Sequence, residues 1–489
     1  MTGGAGGQDD MSVQSLWTLD AMASAMRARR EGPLPASVGG ISIDSRTLSA
    51  GDAFFAIAGD NRDGHDFVSA ALQAGAGLAV VSAAKRDAFA GDAPLLVVDD
   101  VLEGLRDLAD AARARLAGKV IAVTGSVGKT STKEALRLVL SRQGKTHASA
   151  ASYNNHWGVP LSLSRCPADA NFAVFELGMN HAGEIGPLSR LVQPDIAIIT
   201  TIAPVHIEFF ESIDAIADAK AEIFEGLVEG GVAILNRDND QFDRLCDRAL
   251  DARVSRVVGF GEEAGADARL IKCMLQADTS TVQANILGDD VTYKLGAPGK
   301  HLVMNSLAVL AAAKIADADL AVSALALSDL QPASGRGTRI TLDMPGGQAL
   351  LIDESYNANP VSMVAALALL GQAEPGPRGR RIAVLGDMLE LGEQSAELHA
   401  RLAQPIVDHG VDLVFCSGPG MRNLWEALPS NRRGGYANDS SALEPQILEA
   451  VSGGDAIMIK GSNGSRMTPI VKALQRRYAP RAAMDAAQG

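Results

Sequence analysis

The sequence predicts an α/β fold made of three domains. Its 489 residues exceed the size at which a single hydrophobic core stops growing. Apolar runs typical of buried strands alternate with helical segments along most of the chain, which indicates mainly parallel sheets. A glycine-bearing turn between one such strand and the next helix is typical of a phosphate-binding loop. We therefore predict a small α/β domain, a central domain with a mainly parallel sheet and a phosphate loop (P-loop), and a C-terminal Rossmann-like domain.

The first predicted domain spans residues 12–115. Its strand candidates are ISID, AFFAIAG, LAVVS and LLVVDD, and its helix candidate is DFVSAALQAG. Short strands that alternate with a helix are typical of a small α/β module. A further helix, predicted from Val101 to Leu116, leads into the next domain.

The second predicted domain spans residues 116–332. It opens with AGKVIAVTGSVGKT and continues with the strand candidates FAVFELG, IAIITTIA and GVAILN. Helical segments separate these strands, and this alternation predicts a mainly parallel sheet. The domain closes with the alanine-rich helix candidate MNSLAVLAAAKIA.

The third predicted domain spans residues 333–480 and follows the linker PASGRGTRI. Its strand candidates are ALLIDES, RIAVLGDM, VDLVFCSG and AIMIKGS, and SAELHARLAQPIVDHG is predicted to form a helix. This pattern predicts a second open sheet of the Rossmann type. We expect the chain to fray after Tyr478.

The composition excludes several classes of protein. Hydrophobic residues make up 47% and charged residues 21%, which is typical of a globular enzyme. A formal net charge of -14 argues against a nucleic-acid binder, which needs a surplus of Lys and Arg. The four cysteines show no metal-site spacing, and the N-terminus lacks the features of a signal peptide. Because no apolar run reaches about 18 residues, we predict a cytoplasmic protein with no membrane insertion.

The stretch VIAVTGSVGKTSTKEAL predicts a nucleotide site. Its glycines let backbone N–H groups surround phosphate oxygens, and the following helix adds its positive dipole end. Lys129 is placed to reach terminal phosphates, and Thr130 offers a hydroxyl to Mg²⁺. The usual eight-residue pattern requires glycine where this chain has Val123, and a plain strand-to-helix turn is the alternative interpretation. The residues predicted to contact the nucleotide are Gly125, Ser126, Val127, Gly128, Lys129, Thr130 and Ser131.

Two further polar residues follow predicted strands. Glu176 comes after FAVF, and a carboxylate at a strand end beside a phosphate loop suits Mg²⁺, which prefers oxygen ligands. His206 comes after IAIITTIAPV. A solvated strand-end glutamate and a hydrogen-bonded structural histidine are the alternatives for these two positions.

Lys220 lies within an apolar helical stripe. Ile213, Ile216, Ile223 and Phe224 recur at helical spacing around it, so Lys220 should face inward. One interpretation is a lysine whose amino group reaches out to solvent. The other is a buried amine of lowered pKa that adds CO₂ to become a carbamate, an anionic oxygen ligand.

These features together resemble the Mur ligase family, ATP-dependent enzymes that add amino acids to the UDP-N-acetylmuramoyl peptide of the bacterial cell wall. The short TGxxGKT loop is that family's own pattern, shared with folylpolyglutamate synthetases. Within the family, the resemblance is closest to the ligases that add D-alanyl-D-alanine, and it covers nearly the whole chain. The segments that carry it are DSRTLSAGDAFFAIAGDNRDGHDF, NNHWGVPLSL, ELGMNHAGEI, AKAEIF, DESYNANPVSM and VLGDMLELGE.

The resemblance implies a nucleotide and metal site in the central domain. It favours a carbamylated Lys220 and implies catalytic roles for Lys129, Lys220 and His206. The implied magnesium ligands are Thr130, Glu176, His206 and Lys220. Asn305 resembles the residue that reads adenine, Arg336 resembles an arginine that reaches the ATP phosphates from the third domain, and Asp353 completes the nucleotide set.

The resemblance also implies substrate-binding residues. The first domain would bind the UDP end, and the third would seat the incoming dipeptide. For Arg46, the alternative to UDP binding is an ordinary surface arginine. For Asn154 and Asn155, the alternative is a pair of asparagines that forms a turn. Glu354 stands where many relatives have aspartate, and the insertion in KGSNGSRM leaves the role of Arg466 open. The implied residues are Ser45, Arg46, His65, Asn154, Asn155, Tyr356, Asn357, Asn359, Lys460 and Ser462.

The implied activity is an ADP-forming amide ligation that uses ATP and Mg²⁺ in cytoplasmic peptidoglycan precursor synthesis. The partners would be UDP-N-acetylmuramoyl-tripeptide and D-alanyl-D-alanine, with the enzyme acting as a monomer. Two alternative functions also use a phosphate loop. A folylpolyglutamate synthetase would lack the UDP-binding domain. A regulatory P-loop ATPase would not need the segments NNHWGVP and DESYNANP.

Overall fold

The protein is described here by a computed structural model that covers residues 15–59, 62–150, 152–205 and 207–478. Its chain packs as two compact units. The first unit runs to Val120 and also contains Lys145–Phe175 and Arg190–Gln193. The second unit contains Ile121–Gly144, Glu176–Ser189 and the chain from Pro194 onward. The α/β fold class predicted from the sequence is confirmed.

The N-terminal part of the chain forms a small α/β module. One sheet has the order β2-β7-β6-β5-β4, parallel except for the antiparallel pair β2 and β7, and β1 pairs antiparallel with β3. Its core contains Phe54, Val68, Val81 and Leu95. The elements are β1 (Trp17–Thr18), α1 (Leu19–Ala25), β2 (Arg29–Glu31), β3 (Ser37–Val38), β4 (Ile41–Ser42), β5 (Ala53–Phe55), α2 (Val68–Gln73), β6 (Leu78–Ser82), β7 (Leu95–Val98) and α3 (Val101–Ala114), with 3-10 turns at Gly64–Phe67 and Ala83–Ala88.

The middle of the chain builds the sheet that carries the phosphate loop. Its strands are β8 (Lys119–Thr124), β9 (Thr146–Ala148), β10 (Phe172–Glu176), β11 (Ile196–Ile199), β12 (Val232–Asn236), β13 (Arg256–Gly261), β14 (Ala268–Leu275), β15 (Ser280–Ile286) and β16 (Asp289–Leu295). Its helices are α4 (Lys129–Ser141), α5 (Gly158–Ser164), α6 (Ile185–Val192), α7 (Ile213–Ala221), α8 (Phe242–Asp251), α9 (Lys300–Ile315) and α10 (Leu320–Ala326), with 3-10 turns at Ile207–Phe209, Glu222–Gly226 and Leu327–Asp329.

The strand order of this sheet explains where its polar residues collect. The order is β16-β15-β14-β13-β12-β11-β8-β10-β9. The pairs β9–β10, β8–β11, β11–β12, β12–β13 and β13–β14 are parallel. Thr124 at the end of β8 is in register with Ile199 at the end of β11. The segments that follow these strands therefore leave the sheet at the same edge, where open α/β sheets bind ligands.

The antiparallel extension of this sheet was not predicted from the sequence. β15 pairs antiparallel with both β14 and β16. Along β15, Ser280, Val282, Ala284 and Ile286 are buried while the residues between them are more exposed. This two-residue alternation is the pattern of a strand with one covered face.

The C-terminal part forms the predicted Rossmann-like sheet. Its order is β17-β18-β22-β19-β20-β21, parallel except for the β17–β18 hairpin. Apolar cores cover both faces of the sheet. The strands are β17 (Thr338–Met344), β18 (Gly347–Glu354), β19 (Arg381–Gly386), β20 (Leu413–Ser417), β21 (Arg433–Ala437) and β22 (Ala456–Lys460). The helices are α11 (Pro360–Gln372), α12 (Ser395–Ala400), α13 (Ala403–Asp408), α14 (Met421–Ala427), α15 (Ser440–Ala450) and α16 (Thr468–Arg477), with 3-10 turns at Gly392–Gln394, Ser430–Arg432 and Asn463–Ser465.

The prediction of one continuous helix over SAELHARLAQPIVDHG is wrong. The segment forms two helices, α12 and α13, separated at Arg401 and Leu402. Proline at position 405 has no N–H to donate to the carbonyl four residues earlier, and its ring crowds that carbonyl. The proline is tolerated in the first turn of α13, so the helix restarts just before it.

Among the helices of the described residues, none is both long enough and apolar enough to cross a bilayer. All four cysteines lie in the described part of the chain, and each is a free thiol.

Candidate active site

The phosphate loop joins β8 to α4, and its shape depends on glycine. Gly128 is the N-cap of α4 with a φ of 92°, and Gly125 has a φ of 142°. A Cβ atom at Gly125 would lie 2.0 Å from Oγ1 of Thr200, so a larger residue does not fit there. The amino group of Lys129 donates to the Gly125 carbonyl at 2.7 Å. This lysine and the N–H groups at the start of α4 form a site suited to phosphate.

Hydrogen bonds from neighbouring segments fix the rest of the loop. Oγ of Ser126 donates to the Ala203 carbonyl and accepts from the Ala203 N–H, both at 3.0 Å. The carbonyl of Val127 accepts from Oγ1 of Thr200 at 2.6 Å. Oγ of Ser131 donates to the carbonyl three residues before it at 3.0 Å. These side chains therefore hold the loop's shape. The backbone N–H of Ser126 is also engaged, since it donates to the Thr201 carbonyl at 2.8 Å.

Thr130 and Glu176 form a buried pair next to the loop. Oγ1 of Thr130 donates to Oε2 of Glu176 at 2.9 Å. Thr130 lies in the first turn of α4, Glu176 ends β10, and their exposed fractions are 6% and 1%. A carboxylate is costly to bury unless cations or donors compensate its charge. A hydroxyl and a carboxylate beside a phosphate loop are the oxygen ligands that Mg²⁺ prefers, so this pair fits the predicted metal.

Lys220 is buried within α7, with an exposed fraction of 3%, and the prediction that it faces inward is confirmed. Burial, together with the positive charge of Lys129, holds the pKa of Lys220 well below its ordinary value of 10.5. Burial also lowers the pKa of Lys129, while Glu176 opposes this effect and Arg336 adds to it. Lys129, Glu176 and Lys220 are therefore electrostatically coupled, as the sequence predicts for one site.

Glu222 is a functional candidate that the sequence reasoning missed. Its carboxylate accepts N–H groups from Gly183 at 2.6 Å and from Ile185 and Gly186 at 3.1 Å each. It thereby holds the segment that follows Glu176 against the end of α7. No local pattern in AKAE could have shown this, because the partners of Glu222 lie 36 to 39 residues earlier in the chain.

Asn305 lies against the phosphate loop from α9. A Cβ atom at Gly128 would lie 2.6 Å from Nδ2 of Asn305, so the amide and the loop backbone are close neighbours. His206 lies outside the described residues, and its role as a metal ligand stays a prediction. Val205, the residue before it, is buried.

Arg336 packs on Tyr356 at the predicted linker. The guanidinium carbon lies 4.2 Å from the centre of the Tyr356 ring, a cation–π contact that orients the arginine. Gly335 and Gly337 on either side have φ values of 73° and 96°. These left-handed conformations are accessible to glycine at little cost, so the linker can turn sharply at Arg336.

The segment after β18 contains a buried ion pair. Nζ of Lys460 donates to Oε2 of Glu354 at 3.1 Å and to the Asn357 carbonyl at 2.9 Å. The side-chain exposures of Lys460 and Glu354 are 3% and 14%. The buried Asp353 accepts the Ser355 N–H at 3.0 Å. The structure thus gives Glu354 a defined contact, which the sequence left open.

Several predicted dipeptide-binding residues organise the local backbone. Asn359 caps α11, and its Oδ1 accepts the Ser362 N–H at 2.9 Å in a reciprocal capping box. Oγ of Ser462 accepts the Leu389 N–H at 3.0 Å and donates to a carbonyl of the Tyr356–Asn359 segment at 3.2 Å. Arg466 is exposed with a φ of 54°.

In the first unit, two predicted UDP-binding residues make local contacts. Arg46 donates to both carboxylate oxygens of Asp44, at 2.9 Å and 2.7 Å, and this pairing lowers the pKa of Asp44 to about 2. Nδ1 of His65 lies 2.6 Å from Oδ1 of Asp63, and its Nε2 accepts the Ser82 N–H at 3.0 Å. Both ring nitrogens of His65 are thus engaged within the domain. This arrangement favours a role in shaping the loop.

The asparagine pair lies just before α5. Oδ1 of Asn155 accepts the Gly158 N–H at 3.0 Å. This contact forms a turn, which is the alternative role that the sequence analysis gave for the asparagine pair. Asn154 and Ser45 are both partly buried. Their contacts with a UDP-sugar stay predictions.

The chain is similar to known proteins along most of its length. Family models described as "Mur ligase family, catalytic domain", "Mur ligase middle domain" and "Mur ligase, glutamate ligase domain" match residues 37–113, 123–313 and 335–463. A UDP-N-acetylmuramoyl-tripeptide--D-alanyl-D-alanine ligase from Rickettsia prowazekii is 33% identical over 431 residues, which cover 88% of this chain and 94% of that relative. The chain belongs to the Mur ligase family. The phosphate loop and the Thr130–Glu176 pair both lie within the matched middle domain of this Mur ligase.

Solved Mur ligase structures share this fold. MurF from Acinetobacter baumannii aligns with a TM-score of 0.80 at 30% identity, and the alignment covers 94% of this chain and 99% of that one. MurF from Thermotoga maritima, solved in complex with ADP, aligns with a TM-score of 0.71 at 26% identity and covers 90% of this chain and 98% of the other. The architecture is therefore that of the three-domain Mur ligases.

Proposed function

We propose that this Mur ligase joins D-alanyl-D-alanine to UDP-N-acetylmuramoyl-tripeptide with conversion of ATP to ADP and phosphate. The observation that carries the proposal is the buried Thr130–Glu176 pair beside Lys129, in a chain whose relatives of that activity align along most of its length. The sequence segments that resemble the D-alanyl-D-alanine-adding ligases extend this support to all three predicted domains.

The nucleotide is assigned to the central domain. The loop N–H groups and Lys129 would bind the β- and γ-phosphates, and Asn305 would contact the adenine end. Asp353 and Arg336 would approach the phosphates from the C-terminal side. Arg336 already lowers the pKa of Lys129 by its charge, which supports its nearness to the phosphate position.

Thr130, Glu176, His206 and Lys220 are the proposed ligands of Mg²⁺. Bound Mg²⁺ would neutralise phosphate and carboxylate charge during the transfer. The burial of Lys220 supports its modification to a carbamate, because an unmodified ammonium group would repel the metal. A carbamate would instead supply oxygen ligands of the kind that Glu176 supplies.

The other substrates are assigned to the flanking domains. Residues 12–115, with Ser45, Arg46 and His65, together with Asn154 and Asn155, would bind the UDP-sugar. Residues 116–332 would bind ATP, and residues 333–480 would bind the dipeptide through Tyr356, Asn357, Asn359, Lys460 and Ser462. ATP and the nucleotide-linked precursor are cytoplasmic metabolites, so the reaction is placed in the cytoplasm, with the enzyme as a monomer.

The proposed reaction has two steps. The terminal carboxylate of the tripeptide attacks the γ-phosphorus of ATP, which forms an acyl phosphate and releases ADP. The amine of D-alanyl-D-alanine then attacks the acyl carbon, and the tetrahedral intermediate releases phosphate and a proton to give the amide. Lys129 and the loop N–H groups stabilise the negative charge that develops on the transferred phosphoryl group.

A ligation assay tests this function. The protein is incubated with ATP, Mg²⁺, D-alanyl-D-alanine and UDP-N-acetylmuramoyl-tripeptide carrying either lysine or diaminopimelate, and the product mass is measured. We expect ADP release to depend on both acceptor and dipeptide. ATP turnover that is indifferent to both substrates would contradict the proposal. Thermal stabilisation by the UDP-sugar but not by folate separates this activity from a folylpolyglutamate synthetase.

A further inference from the structure

A small cavity lies where three loops of the second unit meet. Its walls are the segments Tyr356–Asn359, Leu389–Leu391 and Ser462–Gly464, and Val205 borders it from the central domain. The cavity volume is about 250 Å³. Pockets for drug-sized ligands measure about 300–1,000 Å³, so this one suits a smaller molecule.

Ser462 joins two walls of this cavity. Its Oγ accepts the Leu389 N–H at 3.0 Å and donates to the Ala358 carbonyl at 3.2 Å. Its own N–H donates to the Asp387 carbonyl at 3.0 Å. One buried hydroxyl therefore sets the spacing between the Tyr356–Asn359 and Leu389–Leu391 segments.

Two buried side chains fix the start of the Leu389 wall. The Asp387 carboxylate accepts N–H groups from Gly420 at 3.2 Å and Met421 at 2.8 Å. Nε2 of His399 accepts the Met388 N–H at 3.0 Å. The wall is thus held by side chains that are themselves buried, which is the arrangement required for a precise binding surface.

Leu389 lies in the segment that these side chains hold, and its apolar side chain lines the cavity. Its exposed fraction is 45%, although a large apolar group gains by burial. A Cβ atom at Gly464, on the opposite wall, would lie 2.7 Å from Cδ1 of Leu389. The leucine side chain therefore reaches across the cavity to Gly464. No side chain larger than that of glycine fits at position 464 unless Leu389 moves.

We propose that Leu389 limits the size of the side chains that the incoming dipeptide can carry, an inference that rests on the proposed ligase function. The cavity's small volume and its leucine walls suit methyl side chains. Asn357 and the loop backbones offer peptide-like hydrogen-bonding groups.

The location of the cavity agrees with that occupant. Tyr356 borders the cavity and also packs on Arg336, the residue assigned to the ATP phosphates. Val205 borders the cavity from the central domain. A dipeptide in the cavity would therefore lie beside a residue that contacts Arg336.

The test compares Leu389→Ala with wild type in the ligation assay. The substrates are D-alanyl-D-alanine and two enlarged analogues, D-alanyl-D-leucine and D-leucyl-D-alanine. We expect the preference in kcat/KM for D-alanyl-D-alanine over at least one analogue to fall about tenfold, as for other pockets that discriminate by size. The KM values for ATP and the UDP-peptide should not change. Leu250→Ala is the control, because Leu250 lies on α8 with an exposed fraction of 75%.

Gly464→Ala provides a second variant. Its Cβ atom would push against Leu389, so the KM for D-alanyl-D-alanine should rise, and that rise should shrink in the Leu389→Ala background. Unchanged selectivity of the Leu389→Ala enzyme for both analogues, or additive effects of the two substitutions, would overturn the inference. A wild-type enzyme that fails to ligate D-alanyl-D-alanine would instead overturn the proposed function.

Discussion

The hydroxyl of Thr130 donates to the carboxylate of Glu176 across 2.9 Å, and both side chains are almost fully buried. This bond connects the helix that follows the phosphate loop with the end of the neighbouring strand β10. It fixes two oxygen-bearing side chains relative to each other next to the loop. Catalytic groups that are already in position stabilise a transition state more than groups that must be ordered during the reaction.

Thr130→Val should lower kcat by about 100-fold, because it removes one oxygen and leaves Glu176 without this donor. The measurement is the ligation rate as a function of Mg²⁺ concentration. Thr132→Val is the matched control on the same helix, since the Thr132 hydroxyl is buried without a hydrogen-bond partner among the described residues. Removal of this unsatisfied buried hydroxyl should leave stability unchanged or raise it. Equal losses of activity in the two variants would contradict a specific role for Thr130.

Lys220→Ala should lower kcat by about 100-fold or more, because the proposed carbamate oxygens are lost. Short carboxylic acids should restore part of the rate by supplying oxygen ligands in the space left by the side chain. The measurement is the ligation rate with and without added formate or acetate. Lys472→Ala, at an exposed position of α16, controls for general effects of these acids. Activity of Lys220→Ala near the wild-type level without any acid would remove the carbamate from the mechanism.

Lys460→Met should lower the free energy of unfolding by about 3 kcal/mol, because it leaves Glu354 partly buried without its cation. Glu354→Met should be similarly destabilising. The double variant should lose at least about 1.5 kcal/mol less than the sum of the two single changes. Urea unfolding of the four proteins measures this coupling. Strict additivity would show that the ion pair does not stabilise the segment after β18.

Gly128→Ala should raise the KM for ATP about tenfold or more, because Gly128 has a φ of 92° and its new Cβ would contact Asn305. Gly183→Ala is the control, since Gly183 has a φ of 87° with nothing within 4 Å of an added Cβ. Both variants carry backbone strain, but the contact with the phosphate loop is confined to position 128. Nucleotide affinity is measured by the thermal shift with ADP. A similar loss of affinity in both variants would assign the effect to strain alone.

Acid should destabilise the protein through His147 and His399. Burial lowers the pKa of both rings below their ordinary value of 6.5; Arg165 adds to the effect at His147, and Asp387 opposes it at His399. As the pH falls below 6.5, the unfolded chain therefore takes up protons before the folded chain does, and the free energy of unfolding decreases. His147→Gln and His399→Gln should each reduce the fall in melting temperature between about pH 8 and pH 5. An unchanged pH profile in both variants would contradict this assignment.

The strand ends of the central sheet could be predicted from the sequence because local patterns determine them. The apolar run before Thr124 and the glycines after it fix the phosphate loop, and the helical stripe around Lys220 fixes its burial. The pairing of Thr130 with Glu176 depends on strand order. That order comes from packing across the sheet, which no local pattern contains.

Other features escaped prediction because they depend on one residue or on distant partners. The break between α12 and α13 follows from Pro405, whose effect was hidden by the helical pattern around it. The contact of His65 with Ser82, 17 residues later in the chain, needs the fold to bring the two residues together. The roles of Asp387 and His399 likewise arise from loops that are far apart in sequence, so only the structure shows what they hold in place.

Arg336 and Lys129, two cations from different predicted domains, are near enough for one to lower the pKa of the other. Two like charges repel each other, and the anionic phosphates of a bound nucleotide would attract both. Nucleotide binding is therefore expected to favour the arrangement that these two side chains already have.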